Sequence, residues 1–434
     1  MDLYLSDSKT SEKIKKNSPI FHYSIIIIII STFIVNDITR HIFGAGSALH
    51  RLNIVFLAIS LLFLILKIKA SQINWFVFYV CTVFSSLLIL NSFFNEIQMN
   101  SFYYVSLLVS TFIVPIYYMS IKLDMNETWG FLERFVSIFN IFTIILMIMG
   151  LLDYFSGSKI QLFLANTIFQ NSGVDKYIYG EHIWGVYRYY SIFGLPLTMA
   201  KYFLIFYSVN MIYAKYTNKF KMNKYLIFFI TVIGILLSAS KTAIVLCLIL
   251  FIVCKPPIKY KSLYYSIIII GLIVATNTEV FQENVKERFV QGIERGDITT
   301  GRNTLIESLI ANDNIEKPGW FVGKGANYSY EIATNLNVKD IYNFEYPFLM
   351  WPYDYGIIVT IFFYFILFIY PTVIFLRKKQ FYILFNYLII SIMVNANNGL
   401  ATVGTDYTAQ FSIFVFLLVS VVKKLTPSKR VNKE

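Results

Sequence analysis

Apolar runs separated by short polar breaks recur along nearly the whole chain. They predict helices near 20–35, 52–68, 73–92, 101–121, 131–152, 189–214, 224–238, 241–254, 262–276, 352–376, 380–399 and 406–422. Most are near the length of about 20 apolar residues that crosses roughly 30 Å of hydrocarbon. The pattern therefore predicts an all-α polytopic membrane protein with about twelve transmembrane helices. The opening polar segment (1–19) and the apolar run after it resemble a secretory signal, but no small-x-small cleavage site follows closely, so 20–35 reads as a retained first span.

Composition strengthens the picture. The 434 residues are 57% hydrophobic and only 14% charged, well under the roughly one-quarter typical of soluble domains. The net charge of +12 implies no nucleic-acid partner, because Lys and Arg gather in the cytoplasmic loops of membrane proteins. With the N-terminus inside, Lys67 and Lys69, Lys122, the 215–224 lysines, the 255–261 lysines, the 377–379 cluster and the tail all face the cytoplasm. Roughly 23 basic residues then lie inside against roughly 14 elsewhere. Both termini are expected to be cytoplasmic, with segment 1–19 and tail 423–434 on that side, spans 1–9 within 20–276 and spans 10–12 within 352–422. The two longest polar connections, 153–188 and 277–351, fall on the outer face, and the second is expected to carry short amphipathic helices. The three cysteines lie in apolar runs and read as small buried residues. The four histidines are scattered and show no metal-ligand spacing.

Five constellations carry candidate chemistry. Arg188 precedes Gly194 and Pro196 at the start of a span, where Pro removes a backbone donor and can open the helix. Its plain alternative is an arginine snorkelling among tyrosines. Ser238-Ala-Ser240-Lys241-Thr242 puts a cation and hydroxyls between two apolar runs, and helix-start N–H groups suit an anion. The alternative is a capped turn with a headgroup lysine. Thr300-Gly-Arg302 opens an amphipathic stretch containing Glu307, and a cation in a first helical turn favours phosphate, although a surface arginine explains it as well. Gly323-Lys324-Gly325, after Trp320, is a weak signal that ordinary turns share. Last, Glu345-Tyr346 and Trp351-Pro-Tyr-Asp354 put carboxylates and aromatics at the return to the membrane. Aromatics form interfacial belts there, and they also stack on sugars beside a carboxylate that can serve as general base.

The order of these features across 185–376 resembles the O-antigen polymerase (Wzy-type) and O-antigen ligase family. The resemblance implies a GT-C-like membrane glycosyltransferase with a large external loop, acting by inversion on undecaprenyl-diphosphate-linked oligosaccharides without metal or cofactor. It matches Arg188 and Arg302 to the family's diphosphate-binding arginines and puts Glu345 nearest the position of the catalytic base. Together with the constellations, this gives expected diphosphate contacts at Arg188, Ser240, Lys241, Arg302 and Lys324, sugar contacts at Trp320, Tyr346 and Trp351, and the base at Glu345, with Asp354 and Glu307 behind it. Lys241 stands where the family often has arginine, which weakens bidentate phosphate binding there. The large loop has no His, which favours polymerase over ligase. The resemblance also implies a bacterial inner (cytoplasmic) membrane location with an outward-facing site, a role in lipopolysaccharide or capsule biosynthesis, and a chain-length regulator as partner. The alternatives are a ligase-type glycan transferase and a lipid-linked oligosaccharide flippase or other transporter. The last predicts charged residues inside the spans.

Overall fold

The computed structural model describes residues 19–37, 39–40, 51–93, 101–170, 173–183, 185, 187–254, 302–312, 315–336 and 344–425, with isolated positions at 277, 282, 290, 293 and 294. The expected span at 262–276, Arg288, Arg295, Thr300 and the basic tail lie outside the described residues, as does the side chain of Arg302.

Every element among the described residues is helical, apart from a single bridge between Ile73 and Ile121. In chain order these are α1 (Pro19–Ile29, continued by a π turn at Ile30–Ile34), α2 (Ile54–Lys69), α3 (Trp75–Phe93), α4 (Ser101–Ser120, with a π turn at Val109–Ile113) and α5 (Met125–Phe155). Then come α6 (Lys159–Thr167), α7 (Val174–Ile183), α8 (Pro196–Thr217), α9 (Lys224–Ser238) and α10 (Lys241–Val253). The chain ends with α11 (Arg302–Ala311), α12 (Tyr328–Asn335), α13 (Pro347–Tyr355), α14 (Ile357–Arg377), α15 (Phe381–Asn395) and α16 (Tyr407–Lys424).

Helices α3, α4, α5, α14 and α16 are long and apolar enough to cross a bilayer, and α1, α9, α10 and α15 are shorter apolar helices. This is an all-α membrane protein. Its inner and outer helices differ in the way a lipid-facing bundle requires. Eighteen side chains of α8 are buried, and α16 is buried almost all round, so these two form the centre. On α3, α5 and α14, large apolar side chains such as Phe76, Ile141 and Ile361 stay exposed, a surface suited to hydrocarbon rather than water. The centre is held by aromatic packing: Tyr202 of α8 stacks on Phe139 at 5.6 Å and on Phe193 at 4.5 Å. Gly234 lets α9 close on α8, since a Cβ there would fall 2.3 Å from the Phe203 ring.

Several boundaries differ from the expected ones, each for a local reason. Helix α5 starts before 131 because Asp124 accepts from the Glu127 N–H while the Glu127 side chain accepts from the Asp124 N–H, a reciprocal cap that extends the helix beyond its apolar stretch. The span expected over 189–214 begins at Pro196. Gly194 takes a left-handed conformation (φ 65°) and Pro196 occupies the first turn, so 187–190 is not helical. The span expected from 352 begins at Ile357, because Gly356 (φ 95°) separates it from α13. The polar connection 153–188 contains two helices, α6 and α7, with a small apolar cluster of their own around Leu164, Phe169, Ile178 and Tyr190.

Candidate functional site

Arg188 lies on the non-helical segment 187–190, which is clamped at three points. The Tyr187 hydroxyl donates to Asp153 Oδ2 (2.9 Å) at the end of α5. The Tyr189 N–H donates to the Leu237 carbonyl (2.8 Å) at the end of α9. The Tyr190 N–H donates to Gln161 Oε1 (2.7 Å) on α6. Between these anchors, Arg188 Nη1 reaches Glu181 Oε1 of α7 at 2.8 Å, and each side chain is 17% exposed. Burial opposes the guanidinium charge, but Glu181, Tyr190 and Glu345 all favour it, and the net effect raises its proton affinity above the ordinary value. Among the described residues, Arg188 Nε and Glu181 Oε2 are buried without a hydrogen-bond partner, and buried polar groups rarely remain so.

Glu345 thus comes within electrostatic reach of an arginine 157 positions earlier. It is half-buried, just before α13, with a left-handed backbone (φ 49°). A non-glycine residue there is strained by about 1–3 kcal/mol, and such strain clusters at functional sites. Tyr330 of α12 lies within electrostatic range of the same carboxylate. Burial pushes its hydroxyl proton affinity up, Thr402 and Asn398 oppose this, and Asp354 and Glu345 add to it.

The turn at 238–241 joins this region through the Leu237–Tyr189 hydrogen bond. Ala239 is left-handed (φ 47°), and the buried Ser240 hydroxyl accepts from the Ala243 N–H at 3.3 Å. Ser240 is therefore an N-cap whose oxygen faces its own helix, with Lys241 half-buried beside it as the first helical residue.

Other predicted site residues have different surroundings. Asp354 is 1% exposed, and its carboxylate accepts from the Ser329 N–H (2.8 Å) and Ser329 Oγ (3.1 Å). It holds the first turn of α12, whose own N-cap Asn327 makes no side-chain cap. Burial pushes its pKa up to about 8 against the opposing hydrogen bonds. Among the described residues Asp354 serves as the anchor of α12. Trp351 is 0% exposed. Its indole stacks on Phe363 (4.1 Å) and donates to the Leu400 carbonyl (3.1 Å), so neither face is open to a sugar. Trp320 is 66% exposed and Tyr346 is half-buried against Phe348. Glu307 is exposed on α11, where Leu305 is the buried anchor. The Gly323-Lys324-Gly325 turn is a latch: the N–H groups of Lys324 and Gly325 donate to the carbonyls of Tyr353 and Asp354, both at 2.9 Å. Lys324 Nζ pairs with Glu316 at 2.5 Å on the exposed side.

Two features were missed by sequence reasoning. Glu181 belongs to none of the five constellations, and the α6–α7 hairpin brings it to Arg188. The second is a polar network among the central helices. Lys201 of α8 donates to Gln410 Oε1 of α16 (2.5 Å) and lies 3.5 Å from the Tyr407 ring centroid. Gln410 donates to the Thr32 carbonyl (2.8 Å) at the π turn that ends α1. Nearby, Asp406 pairs with Arg40 (2.8 Å) and accepts from Asn53 (3.0 Å). Lys201 within an apolar run was the one available signal.

Compared with known protein families, characterised proteins and solved structures, the chain finds no match.

Proposed function

We propose that the chain is a polysaccharide repeat-unit polymerase, an inverting glycosyltransferase that moves an undecaprenyl-diphosphate-linked glycan onto a lipid-linked repeat unit. In this reading the protein has twelve spans in a GT-C-like arrangement, cytoplasmic termini and an outward-facing site in the bacterial cytoplasmic membrane. The observation that carries it is that Glu345 lies within electrostatic range of Arg188, a strained carboxylate and a half-buried guanidinium from distant parts of the chain.

The chemistry follows from that pairing. Glu345 takes the proton of the acceptor hydroxyl as its oxygen attacks the anomeric carbon. The bond from that carbon to the diphosphate oxygen breaks, and the diphosphate leaves with the electron pair. Arg188 opposes the growing negative charge in a partly dehydrated site, where fixed cations act strongly. Glu181 holds one face of Arg188 before the lipid diphosphate binds, so the anion has to share or displace it. Lys241 and Arg302 are assigned to the same diphosphate by the resemblance, with Arg302 as the second arginine. The test is the glycan ladder in cells carrying single substitutions. Arg188→Ala is expected to lower chain growth by about 100–1,000-fold, leaving single repeat units on lipid. Glu345→Gln is expected to do the same, and full-length ladders from either variant would refute the assignment.

A second reading has one observation in its favour. Charged residues inside the spans are what a lipid-linked oligosaccharide transporter predicts, and Lys201 is one. Lys201→Met separates the two. A polymerase is expected to tolerate it with unchanged ladders and unchanged or higher thermal stability, since replacing a buried ion by an apolar side chain is often neutral or stabilising by about 1–4 kcal/mol. A stable variant that stops movement of lipid-linked units across the membrane supports the transporter.

A further inference from the structure

A cavity of about 410 Å³ opens beside the latch, lined by Glu316, Lys317, Gly319, Lys324, Tyr328 and Tyr353 among others. That volume falls within the range of about 300–1,000 Å³ in which small-molecule sites occur. Its walls are fixed on both sides. Ile357 and Ile358 at the start of α14 donate to the carbonyls of Gly319 and Trp320, both at 2.9 Å. The latch turn bonds to the end of α13, and Asp354 secures the start of α12, which carries Tyr328. Gly323 lies so close to the Asp354 backbone that a Cβ would fall 2.4 Å from it. A loop pinned in this way presents its side chains with little ordering left to lose on binding.

The lining specifies a ligand chemistry. Tyr353 is backed by the Phe344 ring, nearly parallel at 9° and 6.2 Å away, so its ring is braced. Tyr328 lies within electrostatic reach of the Tyr353 hydroxyl. Braced aromatic faces with hydroxyls at their edges suit an amphipathic ring that is apolar on its face and polar at its rim. Two ammonium groups stand against one carboxylate. Glu316 and Lys324 form an exposed pair, a kind that contributes little and is readily re-partnered. Lys317 makes no hydrogen bond or ion pair with any described residue. Phe344, which braces the wall, is the residue before Glu345.

We infer that this cavity binds a carboxylate-bearing sugar residue of the glycan, its ring on Tyr328 and Tyr353 and its carboxylate on Lys317. This rests on the polymerase reading for the glycan, but not for the binding itself. The experiment uses the full chain in phosphatidylcholine nanodiscs and saturation-transfer NMR with the methyl glycosides of glucuronate, galacturonate and mannuronate, each beside its neutral hexose. At least one uronide is expected to bind more tightly than its neutral counterpart. Lys317→Gln, an exposed substitution whose folding is checked by its melting curve, is expected to weaken that uronide by roughly tenfold, the loss of one charge-assisted hydrogen bond, and to leave the neutral sugar unchanged. Tyr328→Leu is expected to weaken both sugars. The inference is overturned if no uronide exceeds its neutral hexose, or if Lys317→Gln leaves uronide binding intact. Uronide binding alongside normal ladders in Arg188→Ala would sink the polymerase reading and spare the cavity. Absent binding alongside lost ladders would do the reverse.

Discussion

Asp354 offers a prediction in which structure and catalysis give opposite answers. Its carboxyl is enclosed and tied to Ser329 through two hydrogen bonds, and burial raises its pKa to about 8. Below the ordinary aspartate value near 3.9, the docked and undocked forms of α12 are both protonated, and the stabilisation is complete. As pH rises from there toward about 8, the undocked form gives up its proton while the docked form keeps it. Docking therefore weakens by about 1.4 kcal/mol per pH unit across that window and is constant above it.

Two substitutions separate the contributions. Asp354→Asn resembles the protonated carboxyl, keeps an acceptor for the Ser329 N–H, and removes the titration. Asp354→Ala leaves the Ser329 N–H without its acceptor, at a cost of about 1–3 kcal/mol for one buried unsatisfied group. At about 2 kcal/mol, protection of the α12 amides falls roughly 30-fold. Hydrogen–deuterium exchange on peptides covering 326–336 reads this directly, as protection factors between pH 5 and 8. Protection in the parent protein is expected to fall with pH, and in Asp354→Asn to stay level. Parallel pH profiles for the two proteins, or unchanged protection in Asp354→Ala, would refute the reasoning. Asp354→Asn should also retain glycan ladders, whereas a catalytic base at this position would lose them.

Gly323→Ala brings a Cβ to 2.4 Å from the backbone of Asp354 and Tyr355, where no flexible side chain can yield. The expected cost is about 1–3 kcal/mol, read as faster exchange at the Lys324 and Gly325 amides; unchanged exchange there would count against the latch. Asp406→Asn removes the carboxylate 2.8 Å from Arg40, at a site where both side chains are mostly buried. Loss of one member of a buried pair costs about 3–5 kcal/mol, and the value should fall toward the lower end because Asn keeps an acceptor for Asn53. The detergent-solubilised protein should melt at a lower temperature, and an unchanged midpoint would mean that the pair contributes nothing.

The helices were legible where physics acts locally. Apolar length located α3, α4 and α16 to within a few residues, and Gly194 and Pro196 were visible as a break, whereas the expected span at 352–376 ran through Gly356. Their consequence was harder to read. The sequence around 189–195 is nearly as apolar and aromatic as a span, so hydropathy ran the helix through a stretch that a left-handed glycine ends. Trp351 and Asp354 illustrate a second limit. Both stand where the chain returns toward the membrane, and composition there is the same for an interfacial belt, a sugar platform and a core. Only packing decides, and it puts Trp351 among Phe112, Tyr355 and Phe363. The network around Lys201 needed three helices in register before its partners could be named.

Glu345 and the buried residues that follow it, Trp351 and Asp354, belong to one device. Helix α13 is fixed along its length: Trp351 packs into the core, Asp354 holds α12, and the Tyr353 and Asp354 carbonyls accept from the latch. Its start is therefore placed by contacts in which Glu345 takes no part. A strained backbone costs about 1–3 kcal/mol and persists only where the surroundings over-determine it. Here those surroundings are the buried half of the same helix, which holds Glu345 half-buried and within reach of Arg188. On the other side, the clamp on 187–190 does the same for the arginine, through Asp153, Leu237 and Gln161. Two charged groups from distant segments are thus each positioned by neighbours that spend their own polar atoms on the holding, and in the proposed polymerase reading that is the preparation electrostatic catalysis requires.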